Sequence, residues 1–368
     1  MNNHKVRVGI THGDTNGIGY EIILKMLEDE RLAEMYTIII YGSAKAAGFY
    51  RKAMDLPSIP LNRIDSAADA REGAVNIINV VGEFLKIDPG QTTPEAGSAA
   101  LAALEAAVVD IKNGDIDVLV TAPINKHGMQ SDTFHFAGHT EYLETSFSSE
   151  EEPCKALMLM CAGDMRVALA TTHTALAKVS ESLSKEGLLD TIRSFDRSLR
   201  RDFGIQSPRI AVLSLNPHAG EQGMLGTEEA EIISPAIAEA RENKVFAFGP
   251  YPSDGFFGSG NYKAFDGILA MYHDQGLIPF KTLAMNEGVN FTAGLPFVRT
   301  SPDHGTGYDI VCKGIASPDS LRCAIYAAAD IFRHRQTYDA AYRHPLRRQH
   351  IDRDKGDKGD ITIVPTEE

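Results

Sequence analysis

Eight short apolar runs, separated by segments of helical periodicity, constrain this chain more than any other feature. The runs are VRVGIT (6–11), YTIIIYG (36–42), VNIINVV (75–81), DVLVTAP (117–123), ALMLMCA (156–162), VALATTH (167–173), RIAVLSLNPH (209–218) and GILAMYH (267–273). Each has the length and near-continuous hydrophobicity of a strand covered on both faces. Between them lie GYEIILKMLED (19–29), GSAALAALEAAVVDIKNG (97–114), SKEGLLDTIRSFDRSLRRDFG (184–204) and TEEAEIISPAIAEARENK (227–244), which read as helices. Strands alternating with helices predict βαβ units and an α/β fold, with a mostly parallel sheet carrying helices on both faces. In such sheets the working residues collect at the carboxyl ends of the strands.

Three of the runs end in histidine: VALATTH in His173, IAVLSLNPH in His218 and ILAMYH in His273. Neutral imidazole is the commonest metal ligand, and three imidazoles leave coordination positions open for water or substrate. The recurrence predicts a divalent-metal site. In FAGHTEYLE, His139 and Thr140 precede a helix expected to start near Glu141, with Thr140 placed either to cap it or to serve the site. Lys281, Asn290 and Arg299 lie in a stretch rich in glycine and proline that reads as shaped loop; together they would make a small anion site.

Bulk properties exclude other classes. The formal charge is −14, and no sustained Lys/Arg stripe exists, which argues against nucleic acid or an anionic membrane surface as the main partner. No apolar stretch approaches the ~18 residues of a membrane span, and MNNHKVRVGIT passes straight into a strand, so a cytoplasmic location is expected. Cys154, Cys161, Cys312 and Cys323 lack CxxC spacing and read as reduced thiols. GDTNGIGYE is not GxGxxG, and no GxxxxGK[ST] occurs, so neither a Rossmann fingerprint nor a P-loop is present.

The motifs GDTNGIGYE, TAPINK, GHTEYL, TTH, LNPHAGE, GPYPSD, MYHDQGLIPFK, GVNFTAGLPFVRTSPDHGTGYDI and CKGIAS, in this order over roughly residues 5–335, resemble the 4-hydroxythreonine-4-phosphate dehydrogenase family of vitamin B6 biosynthesis. The resemblance implies two α/β/α domains flanking a cleft, as in isocitrate and isopropylmalate dehydrogenases. It implies a cofactor-side domain of 1–128 and 300–345, a metal, substrate and dimerisation domain of 129–299, and a flexible tail over 346–368. It also implies NAD or NADP use without a Rossmann fingerprint, a divalent metal (Zn, Mg or Co), a small phosphorylated hydroxy acid as substrate, and a homodimer with a shared active site.

Carried over by motif, His173, His218 and His273 are the implied metal ligands, with His173 contributed across the dimer from the other two. His139, Thr140, Lys281, Asn290 and Arg299 are the implied substrate set. His304, Gly305 and Asp309 in SPDHGTGYDI are cofactor candidates, Asp309 facing a ribose hydroxyl. Asp254 and Asp274 are alternatives for proton handling or for orienting a ligand histidine. The implied reaction is oxidation and decarboxylation of 4-phosphooxy-L-threonine to 3-amino-2-oxopropyl phosphate; D-threonate or D-erythronate 4-phosphate is the alternative substrate class. Departures stand where the family reads GDPAGIGPE and PADT: Thr15 and Tyr20 replace two prolines, and Pro252-Ser253-Asp254-Gly255 replaces the second motif.

Overall fold

The computed structural model describes residues 5–82, 85–129, 136, 138–149 and 153–343, so the proposed tail lies outside the described residues. Twelve strands form one sheet: β1 (Arg7–Thr11), β2 (Thr37–Gly42), β3 (Leu61–Ile64), β4 (Val75–Asn79), β5 (Val118–Thr121), β6 (Leu157–Ala162), β7 (Met165–Leu169), β8 (Arg209–Leu213), β9 (Phe246–Tyr251), β10 (Gly267–Ala270), β11 (Val289–Ala293) and β12 (Val298–Pro302). Their order is β3-β4-β2-β1-β5-β12-β11-β6-β7-β10-β8-β9. The α/β class is as expected. Two parallel blocks, β3 to β12 and β7 to β9, meet through antiparallel pairings of β11 with β12, β11 with β6, and β6 with β7.

Helices form where caps and apolar stripes agree. The helix Pro94–Asn113 starts with Thr93 accepting from the Ala96 N–H and Pro94 in the first turn, and ends at Gly114 in the left-handed region, φ 77°. The helix Lys185–Arg201 starts on Ser184, which accepts from Gly187, and buries Leu188, Leu189, Ile192, Phe195 and Leu199 against the sheet. The main core runs continuously from Val8 and Ile10 of β1 to Ile210 and Val212 of β8.

One expectation is corrected. The stretch 281–307 is not mainly loop, because it contains β11 and β12, the strands that join the two blocks. VNFTA and VRTSP mix polar and apolar residues and sit between glycines and prolines, so neither has the continuous apolar run of a doubly covered strand. Their pairing is decided by partners distant in sequence, β5 and β6. Gly294, at φ 85°, permits the turn between them; a Cβ there would lie 2.2 Å from the Lys155 carbonyl oxygen.

Candidate active site

The central strands supply the floor of a cleft of about 400 Å³. Side chains two apart on a strand share a face, and residues in register share it across strands. Arg299 is registered beside Leu119 on β5 and, through the β11–β12 ladder, lies on the face that carries Thr292 and Asn290. Asn290 pairs with Met160 and Thr292 with Met158 on β6. The pleat therefore places Thr121, Asn290, Thr292, Arg299 and Met158 on one face, while Thr300 points to the other and donates to the Ala324 carbonyl. Thr121, Met158, Asn290 and Arg299 line the cleft.

Arg299 is 3% exposed. Its Nε and Nη2 donate to Thr121 Oγ1 at 3.1 and 2.6 Å, its Nη1 to Thr292 Oγ1 at 3.0 Å, and its Nη2 lies 3.2 Å from His139 Nδ1. Because a guanidinium only donates, Nδ1 of His139 is the acceptor, and the tautomer consistent with this bond carries its proton on Nε2. Burial lowers the Arg299 pKa to about 10, leaving it charged at neutral pH. Burial first, then the charges of Arg299 and Lys126, hold His139 well below the usual histidine range, so it is neutral. The guanidinium is thus bonded to hydroxyls and a neutral ring.

Lys281 lines the same cleft and pairs with Asp303, 2.9 Å from Nζ to Oδ1, while also donating to the Asp303 carbonyl at 3.2 Å. Burial raises the Asp303 pKa and Lys281 opposes the rise. His304 donates from Nδ1 to the Gly305 carbonyl at 3.1 Å, leaving Nε2 buried without a partner; burial lowers its pKa. Thr140 lines the cleft from inside the first turn of the helix His139–Phe147, whose cap position is Gly138, so the capping alternative does not hold.

The histidine-bearing runs end on β7, β10 and β8, which are adjacent and parallel, so all three deliver their following residues to one edge of the sheet. His173 and His273 line the cleft with ring centroids 6.4 Å apart. His273 Nδ1 is 2.7 Å from Asp274 Oδ1, so Nε2 is the ring nitrogen left for a further ligand. Burial, then Lys126 and His273, lower the His173 pKa against the opposing charge of Glu141. His218 is exposed on a left-handed turn, φ 53°, and is not among the cleft-lining residues. Within one chain the rings of His173 and His273 lie side by side, and His218 lies outside the cleft lining.

Gly305 and His304 line the cleft, whereas Asp309, Asp254 and Asp274 are exposed and outside its lining. Thr15 and Tyr20 are buried rather than cleft-lining; Tyr20 Oη accepts from the Ser43 N–H at 2.7 Å and donates to its carbonyl at 3.3 Å. Sequence reading did not single out Thr121, Lys126, Glu141 or Asp303, although TAPINK, GHTEYL and SPDHGTG contain them. Among the described residues, no group of three His, Cys, Asp or Glu is set to hold a metal within one chain.

The family model for the pyridoxal phosphate biosynthetic protein PdxA matches residues 34–328. A 4-hydroxythreonine-4-phosphate dehydrogenase of Bacteroides thetaiotaomicron is 52% identical over 365 residues, covering 99% of each chain. A crystal structure of 4-hydroxythreonine-4-phosphate dehydrogenase from Klebsiella pneumoniae superposes with a TM-score of 0.78 at 34% identity, covering 90% of this chain and 99% of that one. A terephthalate 1,2-cis-dihydrodiol dehydrogenase from Burkholderia xenovorans, at 24% identity and a TM-score of 0.58 over 89% of this chain and 98% of that one, shares the fold.

Proposed function

The chain belongs to the PdxA family, whose members named above are 4-hydroxythreonine-4-phosphate dehydrogenases, and from that premise we propose that its cleft oxidises and decarboxylates 4-phosphooxy-L-threonine in pyridoxal phosphate biosynthesis. The secondary alcohol loses a hydride to NAD+ or NADP+ and a proton to the site. The resulting β-keto acid releases CO2, and the carbanion takes up a proton to give 3-amino-2-oxopropyl phosphate. The observation that carries this reading is Arg299: a buried cation hydrogen-bonded to neutral groups, its burial offset by the charge of Glu141 and by no bonded carboxylate, gains from an anion in the cleft. Lys281 and Asn290 on the same cleft complete a phosphate-binding set, and His139, protonated on Nε2, offers a neutral donor.

His173 and His273 supply imidazole nitrogens, which suit Zn or Co better than the oxygen-seeking Mg, with Asp274 orienting the second ring. A divalent cation held there supplies Lewis acidity that lowers the pKa of the substrate alcohol and stabilises charge left as CO2 departs. His218, outside the cleft of its own chain, serves the cleft of a second copy. Exposed apolar side chains follow each of the three strand ends: Leu176, 73% exposed; Met224, 82%; and Ile278, 63%. Such surface favours burial against a partner, which supports a homodimer with a shared site. The two parallel blocks support a division near 1–128 with 300–345, on the cofactor side, and 129–299, although the boundary at 299/300 falls within β12; His304 and Gly305 lie on the cofactor side.

Steady-state NADH formation tests the reading. Turnover of 4-phosphooxy-L-threonine, abolished by a chelator and restored by a divalent metal, is expected. Preference for D-erythronate or D-threonate 4-phosphate would replace the substrate assignment, and turnover indifferent to chelation would remove the metal.

A further inference from the structure

Behind the histidines lies a hydrogen-bonded chain of atoms that joins the ends of four strands. Thr171, two residues before His173, donates from Oγ1 to the Met271 carbonyl at 2.7 Å, and its N–H reaches the same oxygen at 3.2 Å. Met271, two residues before His273, donates its N–H to Gln275 Oε1 at 2.7 Å. The same Gln275 amide donates from Nε2 to the Ser214 carbonyl, 2.6 Å away and four residues before His218, and to Ser253 Oγ at 2.8 Å. Ser253 opens the short helix that follows β9.

We propose that Gln275 is a positioning residue that sets the relative placement of the three strand-end histidines. Strand β10 ends at Ala270, so the Met271 N–H has no ladder partner. Only an amide side chain can accept that proton at one atom while donating to β8 and β9 from the other. A clamp made of directed bonds fixes distances between strand ends; packing alone would leave each terminus to fray separately. Thr171 extends the clamp to β7 and is buried, so its bond to Met271 is shielded from water. Gln275 makes its hydrogen bonds to Met271, Ser214 and Ser253, not to any of the three histidines, and acts on them through the backbone. The inference rests on the reading that these histidines hold a cation.

The test compares the wild-type protein with Gln275→Met, which keeps the length and removes every bond, and Gln275→Glu, which keeps the acceptor and loses the donor. Titration with cobalt(II) alone reads affinity, and amide hydrogen exchange reads the strand ends without metal. Gln275→Met is expected to bind cobalt about 10–100-fold more weakly, in the range typical of groups that orient metal ligands, with Gln275→Glu intermediate. Exchange should quicken at 170–173, 214–218 and 271–273 while the core of β8 and β10 stays protected. Wild-type affinity together with unchanged exchange in Gln275→Met overturns the proposal, as does a uniform rise in exchange across the sheet, which would mark a merely structural role. His273→Ala is the control on the underlying reading: if it binds cobalt as the wild type does, the metal assignment falls, and exchange at the three strand ends alone decides the clamp.

Discussion

The floor of the cleft and its histidine wall are built on opposite principles. Arg299 on the floor is buried, and Thr121, Thr292 and His139 take four of its five N–H donors. The wall carries half-exposed rings on strand ends, one ring stands outside the cleft, and exposed apolar side chains flank it. A charge that must meet an anion gains from low dielectric and rigid donors. Ligands that two chains assemble must remain at a surface until the partner arrives. On the proposed reading the floor is preorganised at folding, and the wall would be completed by association.

Four experiments would break or sharpen that contrast. The largest effect belongs to His273→Ala, expected to lower kcat by at least about a thousandfold with the fold intact and to weaken metal binding; normal turnover would remove the wall from the chemistry. Arg299→Met follows, with a loss in kcat/KM equivalent to about 2–5 kcal/mol, the range for truncating one partner of a buried charged contact. The loss should fall mainly on KM if the guanidinium grips substrate throughout, and substrate lacking its phosphate should be turned over equally by both proteins.

Asp303→Asn should be milder, lowering kcat/KM by about tenfold, because Lys281 keeps its charge and loses its anchor. A rise instead would show that Asp303 restrains anion binding by neutralising the lysine. The smallest effect on activity belongs to His12→Gln, a substitution outside the cleft lining. His12 is fully buried, donates from Nε2 to the Ala99 carbonyl, and has its pKa lowered by burial from 6.5 to about 4. The unfolded chain therefore binds this proton first as pH falls. Stability from this group is fully present above about pH 6.5 and declines towards pH 4, by on the order of 3 kcal/mol. Denaturant melts from pH 7 to 4 should show a shallower acid limb for His12→Gln, with kcat/KM at neutral pH unchanged.

How much of this was legible beforehand varied with the kind of signal. Doubly covered strands such as TIIIYG and RIAVL announce themselves by continuous hydrophobicity, and the strand-end histidines follow directly from them. β11 and β12 escaped because one face of each is polar and lines the cleft, so neither shows the apolar run of a covered strand. Thr121 and Asp303 escaped for a related reason. Their importance lies in touching Arg299 and Lys281, residues 178 and 22 positions away, and no local pattern encodes such a contact.

By itself the sequence determined the α/β class and the delivery of three imidazoles past three apolar strands, because each depends on periodicity within a few residues. Only the tertiary structure decided that β7, β10 and β8 are neighbours, that Arg299 is bonded to neutral groups, and that His218 lies outside the cleft that His173 and His273 line. Those outcomes depend on sheet order and register, which are set by packing energies summed over the whole core.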